Sequence, residues 1–163
     1  MTKRIIALLI AVIIPAALIF TGCGSKEQLT PQEYYDGLLN TYKEYSSAMK
    51  ELSPIITGAT SVEAVSANSA KAKDICGRAD KALLKFKDLE PPSKYADQHK
   101  KLIKSIDSER DFVKAAEKLL TAKTLNDITS ANAELKAFDS APQDQQFASI
   151  FLQLIKDLKA ELG

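Results

Sequence analysis

Apolar residues recur at alternating spacings of three and four along most of the chain after residue 30, which is the period of an amphipathic helix. Residues that end helices interrupt this pattern at Pro54 and Gly58, at Pro91-Pro92 and at Pro142. No segment shows the sustained apolar–polar alternation that is typical of a half-buried strand. The pattern therefore predicts an all-α fold.

The predicted helices span about 31–52, 61–89, 93–122, 124–138 and 147–163. Their starts are marked by residues that cap helices. Thr30 precedes Pro31 and is followed three residues later by Glu33, which is the spacing of a capping box. Thr60 and Glu63 repeat this spacing, and Ser93 and Thr124 are the predicted caps of the third and fourth helices.

Each predicted helix has one apolar stripe, which we expect to face the core. The stripe residues are, in helix order, Tyr35, Leu38, Tyr42, Tyr45, Met49 and Leu52; Val65, Asn68, Ala72, Ile75, Ala79, Ala82, Phe86 and Leu89; Tyr95, His99, Leu102, Ile106, Glu109, Val113, Ala116 and Leu120; Leu125, Ile128, Leu135 and Phe138; and Phe147, Phe151, Leu154 and Leu158.

Short connections between long helices favour antiparallel neighbours. We therefore predict an up-and-down four-helix bundle. Its last helix is broken near Pro142, so the chain has four to five helices. Two of the stripes carry a polar residue, Asn68 and Glu109. Such residues usually specify helix register or lie at the rim, and a buried ligand site is the alternative.

The first 22 residues have the layout of an export signal. Lys3 and Arg4 precede an uncharged run over residues 5–20. A transmembrane helix needs about 20 apolar residues, and Pro15 weakens this shorter run further. A cleaved leader is the predicted outcome, and an uncleaved membrane anchor is the alternative.

The end of this leader, Phe20-Thr21-Gly22-Cys23, resembles the signal of bacterial lipoproteins, although Phe20 stands where leucine is usual. The resemblance implies that the Cys23 thiol receives a diacylglycerol and that the leader is removed before it. It divides the chain into a signal peptide (1–22), a lipidated cysteine with a short tether (23–29) and a helical domain (30–163). It also implies a location on the extracytoplasmic face of the cell membrane. The alternative is an ordinary secretory leader in which Cys23 is a stray thiol.

Charge and cysteine content exclude several classes of function. After removal of Lys3 and Arg4, 20 of the 22 basic residues remain against 21 acidic residues. A nearly neutral domain is not typical of nucleic-acid binding, so no nucleic-acid partner is predicted. Cys23 and Cys76 are the two cysteines, and lipidation of Cys23 leaves no intramolecular disulfide. With one histidine, a zinc site built from Cys and His ligands is not predicted either.

Two residues carry candidate chemistry. His99 is interpreted as a structural histidine at the edge of the core. A haem site that pairs it with Met49 is a weaker alternative, because no haem-attachment motif is present. Cys76 is interpreted as a small core residue. As a nucleophile it would need a base such as His99, and symmetric pairing around Pro91-Pro92 places residue 76 opposite about 105–108, which is unfavourable for that contact.

Basic residues concentrate where the second and third helices meet. If the first helix starts at the membrane, this corner returns to it. Residues 78–104 hold eight basic and four acidic residues, whereas residues 124–144 hold one basic and four acidic residues. We therefore predict a membrane-facing basic end that contacts anionic lipid headgroups, with a solvated face of mixed charge as the alternative. Its lysines are Lys81, Lys85, Lys87, Lys94, Lys100, Lys101 and Lys104.

The expected function is a membrane-tethered, non-enzymatic interaction or binding module of the cell envelope. No catalytic constellation is recognisable, and no cofactor is predicted. Its partners are the membrane, through the lipid, and an envelope protein or ligand that the sequence does not identify. The alternative is a sensor or carrier bundle that binds a small ligand, haem or a cation. A cysteine-dependent enzyme is a third hypothesis.

Overall fold

A computed structural model describes residues 27–138 and 146–163 of the chain. These residues form five α-helices and no strand, so the predicted all-α class is confirmed. The helices are α1 (Pro31–Gly58), α2 (Val62–Lys85), α3 (Ala96–Leu120), α4 (Leu125–Phe138) and α5 (Phe147–Leu162). Two 3-10 turns, Phe86–Asp88 and Ser93–Tyr95, lie between α2 and α3.

The first three helices alternate in direction. Ion pairs join Glu51 to Arg78 at 2.8 Å and Glu44 to Lys85 at 2.5 Å, so α1 and α2 are antiparallel. An ion pair from Arg110 to Asp80 and one from Lys87 to Asp107 make α2 and α3 antiparallel as well. Consequently α1 and α3 run parallel.

Two helices share the fourth position of the bundle. Lys118 pairs with Glu134, and Phe112 contacts Phe138, which places α4 antiparallel to the second half of α3. Contacts of Gln98 with Asp157 and of Lys94 with Glu161 place α5 antiparallel to the first half. The predicted bundle with an interrupted last helix is therefore confirmed. Pro142, the predicted breakpoint, lies outside the described residues.

One of the two predicted capping boxes, at Thr30, and the predicted cap at Thr124 both form. The Thr30 hydroxyl accepts from the Glu33 N–H at 3.3 Å, and the Glu33 carboxylate accepts from the Thr30 N–H at 2.9 Å. Thr124 and Asp127 make the same reciprocal pair at the start of α4. The predicted cap at Thr60 is wrong by one residue, because the Ser61 hydroxyl accepts from the Ala64 N–H and α2 begins at Val62.

The predicted break of the first helix at Pro54 is also wrong. Helix α1 continues through Pro54 to Gly58. Pro54 has no N–H to donate, so it removes one hydrogen bond of the helix. The helix persists because Leu52 is fully buried before Pro54 and Ile55 and Ile56 pack on the core after it.

The apolar stripe of α1 is rotated from the predicted one. Leu38, Tyr45 and Leu52 are buried as predicted. The other buried residues of α1 are Tyr34, Thr41 and Ala48, whereas the predicted Tyr35, Tyr42 and Met49 are only partly buried.

The other stripes agree with the prediction except at a few positions. Asn68 and Glu109 are only partly buried, and Leu125 is 64% exposed because it lies in the first turn of α4. Regular α-helix also ends at Lys85, earlier than the predicted residue 89. The core residues Cys76, Leu83, Ala115 and Leu119 were not on any predicted stripe, although each of them is buried.

Candidate functional site

The start of the described chain is fixed to the corner between α2 and α3. The Leu29 N–H donates to the Glu90 carbonyl at 3.0 Å, and the Ser93 hydroxyl donates to Gln28 Oε1 at 2.9 Å. Leu29 also packs against the core. The residues that precede α1 are therefore docked on this corner.

The end of α5 reaches the same corner. One Glu161 carboxylate oxygen accepts from Lys94 Nζ at 2.6 Å and from the Tyr95 hydroxyl at 2.5 Å. Gln98 donates to Asp157 one turn earlier on α5, at 2.7 Å. We call this end of the molecule, formed by residues 27–38, 81–104 and 153–163, the base of the bundle.

The base has a more balanced charge than the α2–α3 corner alone. It contains nine lysines, and α1 and α5 contribute carboxylates that bring the total of acidic residues to eight. The sequence predicts that α1 starts at this end, whereas the position of the end of α5 is seen only in the structure. Contact of the base with anionic headgroups stays a prediction, and it depends on individual lysines rather than on an overall positive charge.

The seven lysines predicted to face the membrane fall into two groups. Lys85, Lys87 and Lys94 each form an ion pair, with Glu44, Asp107 and Glu161 respectively. Within the described part of the chain the other four are exposed and form no ion pair; they are Lys81, Lys100, Lys101 and Lys104.

His99 is held inside the base. A 2.8 Å hydrogen bond joins its Nδ1 to the Tyr34 hydroxyl, which donates when the ring proton is on Nε2. The ring is 9% exposed and meets the Tyr34 ring edge-on. Burial lowers the pKa of His99 below its usual value, and the nearby Glu90 charge opposes this effect. These contacts agree with a structural histidine.

Glu109 forms the second polar pair between α1 and α3. Its carboxylate accepts a short hydrogen bond from the Tyr45 hydroxyl. Partial burial raises the pKa of Glu109, and the hydrogen bond from Tyr45 partly offsets that effect. Both pairs join residues separated by 64 or 65 positions, so they fix the same register of α1 on α3.

Cys76 lies far from His99. The pairing of Asp80 with Arg110 places Cys76 beside about residue 114 of α3, and the Glu117 charge acts on its thiol. His99 is about 15 residues from that level, or about 22 Å along the helix. The prediction that Cys76 lies opposite residues 105–108 was wrong because the α2–α3 corner is not a symmetric turn. The backbone is extended at Leu89 and Pro92, and α3 reaches further toward this end of the molecule than α2 does.

The Cys76 thiol is also poorly suited to nucleophilic attack. Cys76 is 1% exposed, and burial raises the pKa of its thiol to about 11. A reactive cysteine usually has a lowered pKa and partial exposure.

The residues considered for haem are not brought together. Met49 lines a groove with Phe112, which is 13 residues beyond His99 on α3. That separation corresponds to about 20 Å. Among the described residues there is also no cluster of three or more His, Cys, Asp or Glu side chains that could hold a metal ion.

Open grooves lie away from these polar pairs. One, of about 410 Å³, separates the end of α3 from α4 and is lined mainly by polar residues such as Lys118, Lys123 and Asp127. A second, of about 280 Å³, separates α1 from α4 and has apolar walls formed by Met49, Ile56, Phe112 and Leu135. A third, of about 240 Å³, lies between α3 and α5.

Within residues 27–138 and 146–163, no helix is both long enough and apolar enough to cross a membrane. No protein family, no curated protein and no solved structure matches the chain significantly.

Proposed function

We propose that this chain is a bacterial lipoprotein that acts as a non-enzymatic interaction or binding module of the cell envelope. Its mature form begins at Cys23, and the lipid on that residue holds the helical domain on the extracytoplasmic face of the cell membrane. The leader over residues 1–22 and the Phe20–Cys23 box support the anchor. A single acyl chain binds membranes only marginally, whereas two or three acyl chains give stable attachment.

The docked segment before α1 is the structural observation that carries this proposal. Since Gln28 and Leu29 are bonded to the α2–α3 corner, only residues 24–27 separate the lipidated cysteine from the docked chain. Four extended residues reach about 13 Å. A lipid on Cys23 therefore holds the base, rather than the opposite end, next to the headgroups.

The contacts of the titratable core residues support an interaction module rather than an enzyme. His99 and Glu109 are each engaged by a tyrosine of α1, and the Cys76 thiol is buried. Every buried side-chain nitrogen or oxygen in the described residues has a hydrogen-bond partner. These groups therefore serve the packing of the bundle.

The anchor is tested by expressing the full chain in a bacterial cell and separating membranes from soluble fractions. We expect the wild-type protein in the membrane fraction. We also expect protease to degrade it when added to cells from which the cell wall or outer membrane has been removed. Cys23→Ala should lose the lipid and, if its leader is still processed, appear in the soluble fraction. Cys76→Ala is the matched control and should remain on the membrane. Equal membrane retention of both variants in cleaved form would contradict the proposal.

A further inference from the structure

Three unpaired lysines form a compact surface on α3 near the base. Lys100, Lys101 and Lys104 are exposed, and none of them forms an ion pair within the described part of the chain. We call these three residues the α3 lysine face. Other lysines of the base, such as Lys87 and Lys94, are already neutralised by carboxylates of neighbouring helices.

The three side chains point away from the core. At about 100° per residue they fall within an arc of roughly 100° on the side of α3 opposite His99, Leu102 and Ile106. Asp97 is the one acidic residue on the same arc in the adjacent turn. Asp107, near the edge of that arc, is paired with Lys87. The local charge of this surface is therefore positive although the whole domain is nearly neutral.

The docked chain brings this surface close to the proposed anchor. Gln28 is bonded to Ser93 in the turn before α3, and Lys100 and Lys104 lie about 6 Å and about 12 Å along α3 from its first residue, Ala96. Each ammonium group lies at the end of a flexible lysine stem, which extends its reach beyond the helix surface. A modest tilt of the bundle toward α3 is enough to bring all three ammonium groups to the level of lipid headgroups.

We propose that the α3 lysine face binds the anionic headgroups of the bilayer and tilts the tethered bundle toward α3. This proposal rests on the proposed function, because the lipid on Cys23 supplies the nearby membrane. Each well-placed lysine contributes a binding free energy that corresponds to at most about fivefold tighter binding to an anionic surface. That free energy is too small to recruit the domain strongly, and it is large enough to orient a domain that is already tethered.

The test uses the mature chain with Cys23→Ser, so that no lipid contributes. The protein is floated at low salt with vesicles of phosphatidylcholine alone, or with vesicles in which one quarter of the lipid is phosphatidylglycerol. We expect association with the anionic vesicles alone, and release by salt because exposed charges are screened. The triple variant Lys100→Gln, Lys101→Gln, Lys104→Gln should bind on the order of tenfold more weakly.

The matched control removes three other exposed, unpaired lysines, with the substitutions Lys50→Gln, Lys73→Gln and Lys123→Gln. It has the same net charge as the test variant, and it should bind like the unsubstituted chain. Equal losses in the two variants, or equal binding to both kinds of vesicle, would overturn the proposal. Equal binding to a soluble polyphosphate would overturn it as well, because the surface would then recognise anions without a bilayer. None of these outcomes bears on whether Cys23 is lipidated in cells.

Discussion

Burial disfavours the charged form of the Glu109 carboxylate, and the hydrogen bond from the Tyr45 hydroxyl offsets only part of that cost. A neutral group at the same place keeps the hydrogen bond and avoids the cost of desolvating a charge. The pH dependence of stability therefore separates the two contributions.

We predict that Glu109→Gln gains stability relative to wild type as the pH rises. The folded-state pKa of Glu109 is raised above 4.5, so its favourable contribution is complete below that pH and is lost as the pH rises through the folded pKa. Urea unfolding of both proteins, from below pH 4.5 to above the folded-state pKa, measures the difference in their free energies of unfolding. At acid pH the two should agree within about 1 kcal/mol, which is the typical net value of one hydrogen bond. A difference that does not change with pH would contradict the assignment.

His99 should destabilise the fold in acid. Its folded-state pKa is lowered below 6.5 by burial, so the unfolded chain takes up a proton that the folded chain resists. The contribution of the neutral ring is complete above 6.5 and is lost as the pH falls through the folded pKa.

The chain contains one histidine, so a proton NMR titration reads this group without assignment. We expect a midpoint below 6.5 in the folded protein and a higher midpoint in Tyr34→Phe, because loss of the tyrosine hydroxyl loosens the buried site. A wild-type midpoint at or above 6.5 would show that the ring is solvated.

For single residues, the sequence predicted well that apolar side chains form the core. It predicted less well which of two neighbouring apolar side chains faces the core. Tyr34 and Tyr35 are adjacent, and both continue a regular stripe through Leu38. The apolar pattern favoured Tyr35, whereas Tyr34 is buried because its hydroxyl finds His99 on α3. That partner is 65 positions away along the chain, so local spacing could not reveal it.

Pro54 shows how tertiary packing sets the length of a helix. It lies exposed inside α1, four residues before the end of the helix at Gly58. A proline predicts the end of a helix because it lacks a backbone N–H donor. The apolar residues that follow it bury enough surface to continue the helix.

Replacing this proline should therefore stabilise the protein. Pro54→Ala restores one N–H donor and is expected to raise the free energy of unfolding by roughly 1–3 kcal/mol, which is the range set by helix propensity. Pro31→Ala is the control, because Pro31 is the first residue of α1, where proline is well tolerated. Denaturant unfolding should show a clear gain at position 54 and little change at position 31. Destabilisation by Pro54→Ala would mean that the ring itself contributes essential packing.

Helix order and direction followed from the sequence because loops are short and caps are local. The Thr30 and Thr124 caps depend on residues three positions away and were predicted correctly. The register between α2 and α3 was not predicted correctly, because it depends on the length of the extended segment between Leu89 and Pro92. As a result, Cys76 lies beside a part of α3 that is too far from His99 for the two side chains to meet.

For the whole molecule, the docked start of α1 joins the tether to a particular end of the bundle. The base contains the start of α1, the α2–α3 corner and the end of α5. Its eight acidic residues, five of them outside the α2–α3 corner, balance most of its nine lysines. Under our proposal, a small group of unpaired lysines on α3 then sets the orientation of the domain.

The central claim is that a lipid on Cys23 holds this base at the membrane. Mass spectrometry of trypsin-digested protein from the membrane fraction tests it directly, because cleavage after Lys26 releases the first residues of the mature chain. We predict a lipid-bearing Cys23-Gly24-Ser25-Lys26 peptide and no peptide from the leader. Recovery of an unmodified peptide that continues from the leader through Cys23 to Lys26 would contradict the claim.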